Sequence, residues 1–506
     1  MQVSHPVYDV AVIGGGINGV GIAVDAAGRG LSVFLCEKDD LASHTSSASS
    51  KLIHGGLRYL EYKEFRLVRE ALLEREVLLA KAPHIIRPLR FVMPHQPHVR
   101  PAWLIRTGLF IYDHLGKRKK LAASRHVDFD PASSPLKDEM TQGFEYSDCA
   151  VDDARLVILN AMQARELGAK IAPQTRCSAA YRENGVWNIH LEHARGNYQV
   201  RAKALVNATG PWVLQFIEHN LKQQSLHGLR LVQGSHIIVP RIYEGDKAFI
   251  LQNDDQRIVF ALPYLEQYTL IGTTDHECQG SLDQVKITSQ EVDYLLDVYN
   301  DHFKHQLAVE DILYTYSGVR SLCDDESANP SAITRDYTLE ISHAQENDAP
   351  LLSVFGGKLT TYRKLAESAM AHLAPTYPDM NKPWTETVYL PGAENLVSVE
   401  LLMQQLMQGI DQLSLSLASR WAHAYGSRVW RFLKDISAVS ELGQDFGHGL
   451  FAREVDYLVD QEWARSSEDI LWRRSKLGFQ FASDEIQQLD QYLLKLLLKR
   501  SSDTAA

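Results

Sequence analysis

The sequence predicts a three-part α/β chain: a unit of strand–turn–helix–strand build, an antiparallel sheet beside it, and an all-helical tail. Three observations carry that expectation. Gly14-x-Gly16-x-x-Gly19 sits directly between an apolar strand and an Ala/Gly-rich helix. Strand-like apolar runs recur roughly every 10 residues between Ser235 and Thr273, a spacing suited to an antiparallel sheet. Beyond Pro391 the chain turns to Leu/Gln/Ala/Asp-rich helical sequence through Lys499.

Taken in order, Tyr8–Ile13 reads as a short strand and Ile17–Arg29 as a helix. Leu31–Cys36 reads as a second strand, apolar enough to be buried and parallel. Ser43–Lys51 is too polar and small for core and reads as a loop. Glu64–Leu79 is helical, with charges of both signs at spacings of three and four. From Arg87 to about Pro135 the periodicity blurs as Pro, His and Arg rise. Asp152–Leu167 is helical, and Ala204–Val206 is a strand entering Asn207-Ala208-Thr209-Gly210. Ser235–Pro240, Ala248–Gln252, Ile258–Pro263 and Tyr268–Thr273 form the antiparallel series, and Leu351–Phe355 is a strand ending at Gly356-Gly357. Segments 1–80, 145–215 and 310–390 are expected to assemble one discontinuous α/β domain. Segments 81–144 and 216–309 would form a substrate-covering cap, and 391–506 the helical domain.

At 506 residues the chain exceeds one ordinary core, and 45% hydrophobic with 23% charged residues excludes large-scale disorder. Its five cysteines are scattered, with no metal-ligand spacing, so no disulfide framework or metal site is expected. No signal peptide or bilayer-spanning run is expected, which places the protein in the cytoplasm or on a membrane's inner face. The net charge of −11 disfavours nucleic acid as a partner. Yet Lys51–Arg125 holds 16 Lys and Arg against 6 Asp and Glu, a local +10 that suggests an anionic ligand or lipid surface.

In the glycine motif, Gly14 permits the tight turn, Gly16 lets backbone approach a pyrophosphate, and Gly19 allows close helix–strand packing. The phosphates would sit at the helix N-terminus, where free N–H groups and the dipole favour anions. Glu37 closes the second strand 18 residues after Gly19, placed to accept from a ribose diol. With both strands, the helix and the acid in register, this is a Rossmann-type dinucleotide site. Val206-Asn207-Ala208-Thr209-Gly210, a strand ending in small residues, resembles a second flavoprotein fingerprint and turns the reading toward FAD.

The run Thr45–Leu60 (TSSASSKLIHGGLRYL) resembles the flavin-contacting loop of FAD-dependent glycerol-3-phosphate dehydrogenases. Gly143–Leu156, Ile271–Asp275, Tyr316–Arg320, Ile333–Tyr337 and Phe355–Arg363 resemble further motifs of that family, in order over about residues 8–390. The likeness is greatest to the aerobic, membrane-associated bacterial enzymes. The cysteine cluster of anaerobic relatives and the long insertion of glycerophosphate oxidases are both missing.

The resemblance implies oxidation of sn-glycerol 3-phosphate to dihydroxyacetone phosphate, with hydride passing to flavin N5 and electrons on to a membrane quinone. It implies FAD contacts at Gly14, Gly16, Gly19, Glu37, Thr45, Ser46, Ser50, His54, Gly55, Gly210, Gly357, Lys358, Leu359 and Thr360. Arg320 and Lys358 would lie near the reacting carbon, with Arg58, Tyr59 and Arg335 holding the substrate. Arg335 could equally pair with Asp336. An arginine stays protonated, so Arg320 suits electrostatic stabilisation better than proton removal. His236, in Gln233-Gly234-Ser235-His236, is the residue whose chemistry suits the proton, against the alternative of an ordinary buried histidine.

Arg100–Lys120 joins Trp103, Leu104, Ile105, Leu109, Phe110, Ile111 and Tyr112 to the basic run Lys117–Lys120, the composition of an interfacial segment. An amphipathic core helix with solvated lysines is the competing reading. Tyr492–Arg500 is a second candidate. The expected location is therefore cytoplasmic, attached peripherally to the inner face of the membrane by anionic lipid, with a homodimer left open. Alternatives on the same fold are an oxidase passing electrons to oxygen, an amine or amino-acid oxidase, and a non-catalytic flavin-binding membrane scaffold.

Overall fold

A computed structural model describes residues 6–96, 100–225, 227–253, 255, 257–278, 280–323, 337–343 and 348–503. Arg335, expected at the substrate, lies outside the described residues.

The first sheet is the expected α/β unit. Val7–Ile13 runs parallel to both Tyr198–Asn207 and Val33–Cys36, and parallel pairing continues outward to Leu351–Phe355 and Lys170–Ala172. Helix α1 (Ile17–Gly28) crosses one face with Asp153–Glu166 and Tyr362–Leu373, burying Val20, Ala23, Val157, Ala161, Leu365 and Ala369 in one core. Val33–Cys36 and the Val10–Ile13 part of Val7–Ile13 are fully buried, which is why they read as continuous apolar runs. An antiparallel hairpin, Thr175–Glu183 with Val186–His193, extends the sheet through Tyr198–Asn207. The sequence reading missed it, although Asn184-Gly185, both at positive φ, is the turn pair such hairpins need.

The second sheet is mainly antiparallel. Leu229–Pro240, Ala248–Gln252, Ile258–Tyr264 and Tyr268–Gly272 lie where expected. One pair departs from the expectation: Ala248–Gln252 runs parallel to Ile86–Pro94. The sheet also takes Leu52–Ile53, Gln142–Val151 and Tyr314–Cys323, in part from stretches that the sequence reading gave to the α/β domain. Tyr314–Cys323 pairs along its length with Leu229–Pro240. Apolar pattern marks a strand but does not say which sheet it joins.

The blurred stretch after Arg87 resolves into the strand Ile86–Pro94 and a helix Ala102–Leu115, which packs on Phe65–Lys81. The tail is helical as expected, with its own core around Trp421, Tyr425 and Leu458.

Candidate functional site

A single cavity of about 700 Å³ runs between the two sheets. Gly14 and Gly16 line it at the start of α1, whose N-terminus carries no side-chain cap and no acid in its first turn. The Ile17 amide is taken by Ser46 Oγ, which leaves the helix dipole to favour an anion. A Cβ on Gly14 would stand 2.4 Å from the Ala208 carbonyl, and one on Gly19 would stand 1.9 Å from the Gly14 carbonyl. Gly19 itself does not line the cavity; it lets α1 close onto the turn, as the motif requires.

Glu37 is buried and accepts from the Gly15 amide (2.7 Å) and the Asp39 amide (3.0 Å). Burial pushes its carboxyl pKa up despite those donors. It thus braces the glycine turn, and each oxygen accepts only one of these bonds, leaving acceptor capacity beside the cavity it lines.

The loop 43–51 and the run Gly356–Thr360 line the same cavity. The His54 amide donates to Thr360 Oγ1 (3.2 Å), Thr45 Oγ1 donates to the Val319 carbonyl (2.8 Å), and the Ile17 amide donates to Ser46 Oγ (3.0 Å). Thr45, Ser46, Ser50, His54, Gly210, Gly357, Lys358, Leu359 and Thr360 all line the cavity. Gly55 does not. Its amide donates to Tyr112 Oη (2.8 Å) beneath the loop.

His236 lies on the second sheet, 3% exposed, opposite Gly272 and Tyr316. Its ring stacks on Tyr316 with centroids 4.7 Å apart, and Nε2 shares a hydrogen bond with Ser50 Oγ (2.9 Å). A Cβ on Gly272 would fall 2.2 Å from the ring, so only glycine leaves room for it. Burial, reinforced by Lys51 and Arg320, lowers its pKa to about 3, and Nδ1 is left without a hydrogen-bond partner. The ring is therefore neutral.

Arg320 reaches across Gly234 and donates from Nη2 to Asp275 Oδ1 (2.9 Å) and the Thr274 carbonyl (3.1 Å). Lys358 Nζ lies 4.2 Å from the Tyr59 ring centre, and Arg58 Nη2 donates to Tyr62 Oη (3.3 Å). Arg58, Tyr59, His236, Arg320 and Lys358 all line the same cavity.

Among the described residues, Asn18 Oδ1, Ser43 Oγ, Arg58 Nε and His236 Nδ1 are buried polar atoms without hydrogen-bond partners on residues that line it. Buried polar atoms left unpaired are costly, so their convergence on one cavity fits a polar ligand there. The glycine turn at one end and the cationic pocket at the other fit a dinucleotide cofactor with an anionic substrate. Sequence reasoning passed over Asn18, although it lies inside the glycine motif, and Asp275, which orients Arg320 from within the Ile271–Asp275 run. Arg100 and Arg257 also line the cavity, with no motif to mark them.

Comparison with known proteins agrees. Residues 9–363 match the family model for FAD dependent oxidoreductases, and 383–497 match the C-terminal domain of alpha-glycerophosphate oxidase. The chain is 64% identical to a glycerol-3-phosphate dehydrogenase of Pseudomonas aeruginosa, over 96% of this chain and 95% of that protein. It is 53% identical to the aerobic glycerol-3-phosphate dehydrogenase of Escherichia coli, over 98% and 99%. It is also 50% identical to a D-erythritol 1-phosphate dehydrogenase of Brucella abortus, over 92% and 94%. Among solved structures, a Bacillus halodurans glycerol-3-phosphate dehydrogenase complexed with FAD matches with a TM-score of 0.75 at 25% identity, covering 99% of this chain and 92% of that one. The chain belongs to the FAD-dependent oxidoreductases, in the glycerol-3-phosphate dehydrogenase group.

Proposed function

We propose that the protein oxidises sn-glycerol 3-phosphate to dihydroxyacetone phosphate and passes the electrons to a membrane quinone. One observation carries the reading: Arg58, Arg320 and Lys358 line one cavity together with the buried, neutral His236. Bound FAD supplies the two-electron acceptor. The cations bind the phosphate and hold the secondary alcohol in place, with the arginine forks suited to phosphate oxygens. His236 is the candidate acceptor of the hydroxyl proton: it is neutral across the physiological range, although a pKa of about 3 makes it a weak base. Arg320, held by Asp275 and the Thr274 carbonyl, stabilises the negative charge that develops beside it. Gly14 and Gly16 would hold the pyrophosphate, Glu37 the ribose, and Thr45–Ser50 with Gly357–Thr360 the flavin ring.

The acceptor and the membrane rest on α2 (Phe65–Lys81) and α3 (Ala102–Leu115). Trp103 and Phe110 of α3 are 68% and 62% exposed, with Tyr62, Phe65 and Leu104 exposed beside them. Arg66, Arg69, Arg106, Lys117, Lys119 and Lys120 are exposed on the same pair of helices and the turn after α3. Apolar groups flanked by cations suit an anionic lipid surface. Leu104, Ile105, Gly108 and Ile111 continue from that face into the cavity wall, an apolar route for a quinone ring. No described helix is long and apolar enough to cross a membrane. Tyr492–Arg500 is the weaker candidate: Leu493 is buried in the tail's core, and Arg500 pairs with Asp460 at 2.6 Å.

The test is anaerobic bleaching of the visible flavin band by sn-glycerol 3-phosphate, with glycerol and amino acids as controls. Rapid bleaching by the phosphate ester alone is expected, and bleaching only by an amino acid would overturn the assignment. D-erythritol 1-phosphate belongs in the same experiment because a relative 50% identical carries that name. Faster reduction by it would move the substrate to a four-carbon polyol phosphate. Peroxide formation in air at the rate of turnover would replace the quinone by oxygen.

A further inference from the structure

The loop that would carry the flavin is poorly packed. From Ser43 to Ser50 no residue is fully buried. Ser43, His44, Thr45 and Ala48 line the main cavity on one side. On the other they line a second cleft of about 500 Å³, closed by Trp472, Arg473, Lys476 and Phe479 of the helical tail. Set between the cofactor cavity and this second cleft, the loop packs little against the rest of the protein, so polar anchors fix its position.

The tail supplies those anchors at both ends of the loop. Before it, Asp40 is 5% exposed and accepts from Arg473 Nε (2.6 Å) and from Arg474 Nη1 (2.5 Å) and Nη2 (2.8 Å). After it, Lys51 Nζ donates to Asp153 (3.0 Å) and to the Ser47 carbonyl (2.9 Å), while Ser49 Oγ donates to the same Asp153 (2.7 Å). Asp153 starts the helix Asp153–Glu166, and its neighbour Asp152 is bridged by Lys476 Nζ at 3.2 Å. Arg155, one turn on, donates to Glu462 Oε1 (2.9 Å) and to the Ala424 carbonyl (3.0 Å), both in the tail. One short stretch, Arg473–Lys476, thus reaches both ends of the loop. Between them stands Ser50, whose hydroxyl meets His236.

We infer that Arg473, Arg474 and Lys476 are positioning residues for the cofactor, holding loop 40–51 in its FAD-binding shape through Asp40 and the Asp152–Asp153 helix start. The helical tail then completes the flavin site without contacting the main cavity. Removing one partner of a buried ion pair also costs stability, so the test must separate position from folding.

Equilibrium dialysis of the purified holoenzyme measures FAD release, with visible circular dichroism of the bound flavin as a second signal. Arg473→Gln and Lys476→Met are each expected to raise the FAD dissociation constant on the order of tenfold and to weaken the flavin dichroism. Lys476→Arg should restore both. Arg420→Gln breaks a buried pair with Glu454 (Nη2 to Oε2, 2.7 Å) inside the same domain, away from the loop. It should lower Tm yet keep FAD. Asp40→Asn, which weakens the bonds from both Arg473 and Arg474, should raise the FAD dissociation constant at least as much as Arg473→Gln, and adding Arg473→Gln to it should change FAD affinity little further. Where a tail variant does not fold, Asp40→Asn and Asp152→Asn probe the same bridges from the loop side. Wild-type FAD affinity in the folded bridge variants, or equal FAD loss in Arg420→Gln at matched Tm, would overturn the inference. The measurement uses no substrate, so its failure is distinct from failure of the substrate assignment.

Discussion

His236 and Arg320 each occupy space left by a glycine across the ladder, Gly272 for the imidazole and Gly234 for the guanidinium. Gly272→Ala is therefore expected to displace the imidazole and slow flavin reduction, while the FAD content of purified protein stays near wild type. His236→Ala should keep FAD and lose on the order of 10²–10⁴ in the limiting rate of flavin reduction by stopped flow. The pH dependence has a definite sign. With burial holding the imidazole pKa at about 3, the neutral form prevails above that value. The limiting rate should stay flat on the acid side down to about pH 5, where a histidine at its usual ~6.5 would already have lost most of its base form. A titration near 6.5 that disappears in His236→Gln would show the ring to be more open to water than its burial indicates. At Arg320, lysine keeps the charge but loses the longer, planar guanidinium whose Nη2 serves both Asp275 and Thr274. Arg320→Lys should fall between wild type and Arg320→Ala in rate.

At the scale of elements, helix Ala102–Leu115 divides its faces sharply. Ile105, Leu109 and Tyr112 are buried, and Trp103 and Phe110 are largely exposed. Tyr112 donates to Asp148, which also pairs with Arg75 of α2, so the two helices are tied together from below. Trp103→Ser with Phe110→Ser should therefore leave the fold intact and lower partition to anionic vesicles on the order of tenfold per side chain. Reduction of a soluble dye acceptor by these variants should be unchanged, and loss of quinone reductase activity alone would locate the docking face. Unchanged vesicle sedimentation would remove this helix from the membrane.

For the whole molecule, buried histidines set the acid response. His84 and His236 have pKa values of about 3 through burial first, and His302 and His423 are also lowered by burial. Once unfolded, each takes up a proton near pH 6.5, so the unfolded state binds more protons and stability rises with pH, for His84 and His236 between about pH 3 and 6.5. His84 and His236 should each cost about 2–3 kcal/mol of stability by pH 4.5. His84→Leu should visibly flatten urea-unfolding stability between about pH 4.5 and 6.5. An equal pH slope in that variant would show that His84 is solvated or protonated in the folded state.

The nucleotide turn, its flanking strands and helix, and the helical tail were legible in the chain because local order carries them: glycine placement, apolar runs and 3.6-residue periodicity act over a few residues. The family motifs pointed to the candidate flavin loop, Arg320 and Lys358 for the same reason, each lying within a short unbroken run, while His236 was singled out by its side-chain chemistry. Tertiary structure alone decided which sheet Gln142–Val151 and Tyr314–Cys323 join, since strand pairing joins segments far apart in sequence. It also decided that Glu37 braces the turn and that Gly55 serves the layer below the loop. The bridges from Arg473, Arg474 and Lys476 were invisible in the sequence. Their partners lie hundreds of residues away, and a buried charge reads like a surface charge until packing removes the water around it.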